Sequence, residues 1–156
     1  MIQRIQTLYL SVVIIVCSLL FFFPMIDYIN DLKGTYKLFI TGMRYYGDVP
    51  LTLFFFQTLP LLVLLCSSVL LALITIFIFK KRRLQVLLIN INILVNIVLI
   101  ALVFLVYSRL FENRLQTLST YEFGMYIPLI SLVFLVLANR AVRKDIALVK
   151  SADRLR

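Results

Sequence analysis

Four apolar stretches constrain the fold of this chain more than any other feature. A hydrocarbon core about 30 Å thick requires roughly 20 apolar helical residues. The predicted helices cover about residues 5–23, 51–79, 84–107 and 125–139. Because 63% of the 156 residues are hydrophobic, against about 45–50% in soluble domains, one small globule cannot bury them all. The sequence therefore predicts an all-α membrane protein, with one domain (residues 1–156) and four transmembrane helices in an up-down bundle.

Prolines and connection lengths refine this prediction. The first helix is expected to stop at Pro24, and no signal-peptidase site follows it, so it should remain as a membrane anchor. Pro60 predicts a kink or an interfacial first section in the second helix, and Pro128 interrupts the start of the fourth. Only residues 80–83 join the second and third helices, which predicts an antiparallel helical hairpin.

The two remaining connections are longer and polar. In the first, residues 27–48, the stretches 35–41 and 43–46 flank Gly42, which favours a short β-hairpin at the membrane surface. The alternative is an ordered loop whose tyrosines lie at the level of the lipid headgroups. The second connection, residues 108–124, is predicted to be partly helical.

Positive charge is distributed unequally along the chain. The net charge is +9, from 16 Lys+Arg and 7 Asp+Glu. If the N-terminus is cytoplasmic, the inner segments contain eleven basic and two acidic residues, whereas the outer segments contain five of each. Because an excess of Lys and Arg marks cytoplasmic loops, both termini are predicted to be cytoplasmic. Most of the +9 then reflects membrane orientation rather than nucleic-acid binding.

The C-terminal tail, residues 140–156, has a pattern of its own. Val142, Ile146 and Val149 recur at helical spacing among basic residues, which predicts an amphipathic helix suited to a bilayer with an anionic inner leaflet. One alternative is that the tail only fixes topology. Another is docking on a cytoplasmic partner, including a ribosome or other nucleic acid, although basic residues without interleaved aromatics say little about nucleic acid. The candidate contacts to lipid or a cytoplasmic partner are Lys80, Lys81, Arg82, Arg83, Arg143, Lys144, Lys150, Asp153, Arg154 and Arg156.

Polar residues within the apolar stretches are the candidate intramembrane contacts. No Asp, Glu, Lys or Arg occurs in these core segments, which argues against an ion-coupled carrier. Asn92 and Asn96, four residues apart, share one face of the third helix, while Asn90 points elsewhere. Gln57 precedes Pro60 in the second helix. These side chains either form hydrogen bonds between helices or line a cavity for a lipid or small neutral ligand.

Residues suited to catalysis are scarce. The chain has no His, the commonest general base and metal ligand, and Cys17 and Cys66 lie in apolar stretches without a base. Five basic residues balance the outer carboxylates, which are expected to form solvated ion pairs. These carboxylates are Asp27, Asp31, Asp48, Glu112 and Glu122. We therefore expect no enzymatic activity, no cofactor and no metal site.

The two ends of the chain carry a resemblance to a known family. They are the opening Met-Ile-Gln-Arg-Ile-Gln-Thr, the Phe-Phe-Pro that ends the first helix, and the basic residues 140–145 and 148–156. Together they resemble the family called domain of unknown function 4293, over essentially the full length. The resemblance implies a small four-helix inner-membrane protein of a Bacteroidetes-type bacterium, and it implies no activity.

From these observations we expect a non-enzymatic accessory or scaffold subunit of a larger membrane assembly, in envelope biogenesis or protein export. Its partners would be other inner-membrane proteins. The alternative is a binder or carrier of a lipid or small neutral ligand within the helix bundle.

Overall fold

The fold combines a helical bundle with a small sheet. The computed structural model describes residues 3–30, 34–46, 55–78, 81–115 and 118–154. The helices are α1 (Gln3–Leu19), α2 (Phe55–Phe77), α3 (Arg82–Ala101), α4 (Ser108–Leu115) and α5 (Ile127–Arg154), with a π-helical segment (Leu102–Tyr107) between α3 and α4 and a 3₁₀ turn (Phe123–Met125) before α5. The strands are β1 (Ile26–Asn30), β2 (Gly34–Phe39), β3 (Gly42–Tyr46) and β4 (Leu118–Tyr121).

The long helices are arranged in a ring, in which α1 packs against α2 and α5, and α3 packs against the same two helices. Helices α2 and α3 are antiparallel, as their short connection predicted. The Ser68 side chain forms a hydrogen bond with Asn92. Seven residues further along α2, the Thr75 carbonyl accepts a hydrogen bond from Gln85, which lies seven residues before Asn92 in α3. Buried apolar side chains fill the interior, among them Leu10, Val13, Leu61, Leu65, Leu99 and Leu135.

Three helical segments are long and apolar enough to cross a membrane: Thr58–Phe77, Arg82–Glu112 and Phe123–Val149. The apolar part of α1, Ile5–Leu19, is shorter. At 1.5 Å per residue the 17 residues of α1 extend about 25 Å, somewhat less than a hydrocarbon core of about 30 Å. Large apolar side chains point outward from these helices, for example Leu70 and Leu105, as expected of surfaces that face lipid.

The ends of α1 and α5 differ from the sequence prediction by four residues or more. Helix α1 ends at Leu19 rather than at residue 23, because the chain turns before Pro24, with the Phe22 amide donating to the Leu19 carbonyl at 3.0 Å. Helix α5 continues without a break from Ile127 to Arg154, whereas a fourth helix at 125–139 and a separate tail were expected. Neither Gly nor Pro occurs between residues 129 and 154, so nothing interrupts the helix there.

The fold is mostly helical, but it also contains a small antiparallel sheet that extends beyond the one hairpin expected. The predicted hairpin is confirmed: β2 and β3 pair antiparallel, and Gly42 begins β3 with φ of +155°. Strands β1 and β4 were missed, and they complete an antiparallel sheet in the order β3-β2-β1-β4. Ile26 pairs with Tyr121, a partner 95 residues away that local sequence patterns do not indicate. The connection at 108–124 is partly helical, as predicted, through α4.

The sheet is attached to the helices by buried contacts. The Tyr28 hydroxyl on β1 donates to the Tyr107 carbonyl at 3.0 Å, at the end of the π-helical segment, and its ring packs near Phe111. Burial raises the pKa of Tyr28 well above its usual value, so the hydroxyl stays protonated and can donate. The Gly124 amide donates to the Pro24 carbonyl at 2.9 Å. The sheet therefore lies at the end of the bundle where α1 ends and α5 begins.

Candidate functional site

A buried polar network lies inside the helical bundle and connects α2, α3 and α5. Ser68 Oγ donates to Asn92 Oδ1 at 2.7 Å, and Asn92 Nδ2 donates to the Ser68 carbonyl at 3.0 Å. Asn96 Nδ2 donates to Ser68 Oγ at 2.8 Å, while Asn96 Oδ1 lies 2.7 Å from Ser131 Oγ, which donates to it. Cys17 on α1 is buried close to Ser68 and Ser131, at the same centre. Side chains of all four long helices therefore meet at this centre.

The two asparagines of this network are almost fully enclosed. The exposed fractions of Asn92 and Asn96 are 1% and 2%. Each amide uses its oxygen and its nitrogen in hydrogen bonds to neighbouring helices. Such groups stabilise helix association in lipid, typically by about 0.6 kcal/mol each. Their arrangement favours helix–helix contact over a ligand cavity at this position. Gln57 lies in α2, and its side chain is outside the described part of the structure.

A second polar cluster, an outer hydrogen-bond chain of three side chains, lies on the outer surface where α3 meets α5. Arg143 Nε donates to Asn139 Oδ1 at 3.0 Å, and Asn139 Nδ2 donates to Asn90 Oδ1 at 2.6 Å. Asn90 and Arg143 are exposed, and Asn139 is half-buried. Asn90 is eight residues from the start of α3, so it lies about 12 Å along the helix from Arg82. These hydrogen bonds therefore place an amide pair on the outer surface of the apolar region.

A third cluster joins the start of α1 to the end of α5. Gln6 Nε2 donates to Asp145 Oδ2, and Arg82 Nη1 donates to the Asp145 carbonyl at 3.3 Å. Asp145 is buried, with an exposed fraction of 5%, and its Oδ1 has no hydrogen-bond partner among the described residues. These contacts bring the start of α1, the start of α3 and the basic part of α5 to the same end of the bundle, opposite the sheet.

The predicted basic contacts divide between a groove and an exposed helix face. Lys81, Arg82 and Arg83 line a groove of about 470 Å³ together with Leu84, Ile146 and Val149. Arg143 and Lys144 are exposed on α5. Lys150, Asp153 and Arg154 belong to α5, but their side chains are outside the described part of the structure, and Lys80 and Arg156 are outside the described residues altogether.

The outer carboxylates form structural contacts. Asp27 pairs with Lys37 at 2.7 Å, but it is buried, contrary to the expectation of a solvated ion pair. The reason is its position on β1, between β2 and β4. Glu112 accepts a hydrogen bond from Ser119, and Glu122 is half-buried. Asp31 and Asp48 are outside the described residues. In the part of the chain that the structure describes, no three His, Cys, Asp or Glu side chains are grouped to hold a metal ion.

Sequence reasoning missed several residues of these clusters. Among them, Ser131 and Cys17 lie at the interior network, Asn139 joins the outer hydrogen-bond chain, and Gln6 and Asp145 form the third cluster. Ser131 could have been found, because a polar residue in an apolar helix needs a partner and Asn96 offers one. The pairing of Asn139 with Asn90 depends on how α3 and α5 pack, which no local pattern indicates.

Comparison with known proteins gives a family. A search of the curated proteins finds no match to this chain. The family model described as "Domain of unknown function (DUF4293)" matches residues 2–155, which is almost the whole chain. The chain therefore belongs to the DUF4293 family.

Proposed function

We propose that this protein is a non-enzymatic accessory or scaffold subunit of a larger inner-membrane assembly, acting in envelope biogenesis or protein export. Its partners are other inner-membrane proteins, which its helices contact within the bilayer. Three apolar helices and a family of unknown activity are consistent with this role. The particular support comes from how the polar side chains of the bundle are arranged.

The proposed topology has four membrane crossings and both termini in the cytoplasm. Gln6 and Asp145 meet at one end of the bundle, and Pro24 and Gly124 meet at the other, so α1 extends between the same two ends as α5. The end that contains Gln6 and Asp145 also contains Lys81, Arg82 and Arg83. This concentration of basic residues supports a cytoplasmic position for that end, because Lys and Arg are retained on the cytoplasmic side.

The interior of the bundle supports a structural role. The amides of Asn92 and Asn96 are hydrogen-bonded to serines of neighbouring helices and are shielded from solvent. A transport pathway would require polar groups that are accessible to the transported molecule. We therefore place the functional contacts on the outside of the helices.

The observation that carries the proposal is the outer amide pair of Asn90 and Asn139. Within the described part of the chain, the Asn90 amide nitrogen has no hydrogen-bond partner, although Asn90 Oδ1 accepts from Asn139. An unpaired amide exposed to hydrocarbon is costly, because lipid tails offer neither donors nor acceptors. A polar side chain or carbonyl on the helix of another protein would satisfy this amide.

Co-extraction tests the proposal. A tagged chain, expressed at its endogenous level and extracted into lipid nanodiscs, is expected to be recovered with a stoichiometric membrane partner by native mass spectrometry. The double variant Asn90→Leu/Asn139→Leu should lose most of that partner, because both amides are replaced by apolar side chains of similar size.

The matched control is Ile15→Val, which changes an outward side chain of α1, across the ring of helices from the α3–α5 surface. This control should retain the partner. Recovery of the unaltered chain only as a lone monomer would contradict the proposal. Equal partner recovery with the double variant would show that the amide pair is not the contact.

A further inference from the structure

The groove at the end of the bundle has two chemically different sides. Lys81, Arg82 and Arg83 provide positive charge, and Leu84, Ile146 and Val149 provide apolar surface. Its volume of about 470 Å³ lies in the range of ligand pockets, about 300–1,000 Å³. A ligand that fits such a groove has an anionic part and an apolar part in the same molecule.

The cations of the groove are available for an anion. Among the residues that the structure describes, the one ion pair joins Lys37 to Asp27, at the opposite end of the bundle. Arg82 donates to the Asp145 carbonyl at 3.3 Å, a contact that orients its guanidinium without neutralising it. An oriented guanidinium can bind two oxygens of one phosphate, and neighbouring cations add electrostatic attraction.

The groove also lies at the depth of the lipid headgroups. The apolar segment of α2 ends at Phe77, that of α3 begins at Arg82, and in α5 the charged residues begin at Arg140. The basic residues are therefore at the boundary between hydrocarbon and water, where phosphates are located, while Ile146 faces toward the packed helices.

We propose that this groove is a binding site for one anionic glycerophospholipid, whose phosphate contacts Lys81, Arg82 and Arg83 and whose acyl chains pack on Leu84, Ile146 and Val149. The proposal is independent of the accessory role, since it concerns a lipid rather than a protein partner. The site is discrete, in contrast to a general attraction of the basic tail to an anionic surface.

Lipid titration tests the site. Delipidated protein in a neutral detergent is titrated with phosphatidylglycerol or phosphatidylcholine, and bound lipid is counted by native mass spectrometry. We expect one phosphatidylglycerol to bind with clear preference over phosphatidylcholine. The variant Lys81→Gln/Arg83→Gln should bind it about 25-fold more weakly, because each basic group near anionic lipid strengthens binding roughly fivefold. Both residues are exposed, so folding should be retained.

The control Arg140→Gln/Lys144→Gln removes the same charge from exposed positions of α5 that do not line the groove, and it should bind phosphatidylglycerol nearly as the unaltered chain does. A second variant, Val149→Ser, should weaken lipid binding while leaving the charge unchanged. Soluble glycerol 3-phosphate should compete only weakly, since it lacks acyl chains. Equal loss in the groove and control variants, no preference between the two lipids, or full competition by glycerol 3-phosphate would overturn the proposal.

Discussion

Replacing Gly124 with alanine is expected to lower the free energy of unfolding by about 3 kcal/mol, within the upper range for overpacking a closed site. A β-carbon at this position would overlap the Pro24 carbonyl oxygen, and it would lie 2.8 Å from the Pro24 carbonyl carbon and 2.9 Å from the Phe23 carbonyl oxygen. All three are backbone atoms, so no flexible side chain can move aside. The substitution should separate the 3₁₀ turn from the end of α1 and break the bond from the Gly124 amide to Pro24.

Unfolding in mixed detergent micelles, with increasing denaturing detergent, measures this effect. Tyr126→Phe is a suitable control, because Tyr126 is an exposed neighbour and loses only its hydroxyl. The free energy of unfolding of this control should remain within about 0.5 kcal/mol of that of the unaltered chain, as expected of surface changes. A Gly124→Ala variant as stable as this control would show that the 3₁₀ turn does not lie against the backbone of Phe23 and Pro24.

The second large effect is expected inside the bundle. Asn96→Ala should lower the free energy of unfolding by about 2 kcal/mol, because it removes bonds to Ser68 on α2 and Ser131 on α5 and leaves a small cavity. Part of this cost arises because the two serine hydroxyls lose a buried partner. Ser131 limits the loss, since its hydroxyl also lies 2.8 Å from the Pro128 carbonyl.

Asn90→Ala provides a control in the same helix with the same change of side chain. Asn90 is exposed and forms a side-chain hydrogen bond only with Asn139 within the described part of the chain. Its replacement should therefore lower the free energy of unfolding of the isolated protein by no more than about 0.5 kcal/mol. The same micelle unfolding assay compares the two. If the two alanine variants were equally stable, the interior network would not hold the helices together.

The apolar stretches predicted the helices because each is close to the length that a helix needs to cross a bilayer. Their connections were harder to predict. The helical hairpin of α2 and α3 followed from a connection too short for any other arrangement. In contrast, β4 pairs with β1 across a separation of 89 to 95 residues, and its four residues show no alternation strong enough to indicate a strand. Gly42 indicated the β2–β3 hairpin because a hairpin turn is local.

The candidate contacts show the same division between local and long-range information. Asn92 and Asn96 were paired from their spacing alone, since four residues return a helix to the same face. Their partners Ser68 and Ser131 depend on how three helices pack. Asp145 lies in the basic stretch 140–145 of the sequence, yet it is buried against Gln6 and near Arg82, because α5 continues straight through this region. Tertiary packing alone brings these residues together.

Photo-crosslinking in living cells tests the accessory role most directly. A photoreactive residue at position 90 is compared with one at position 15, which is 62% exposed and lies at a similar depth on the opposite side of the ring. If a membrane partner contacts the outer amide pair, position 90 should give one discrete protein adduct and position 15 should give only lipid adducts. Lipid adducts alone from both positions would contradict the account.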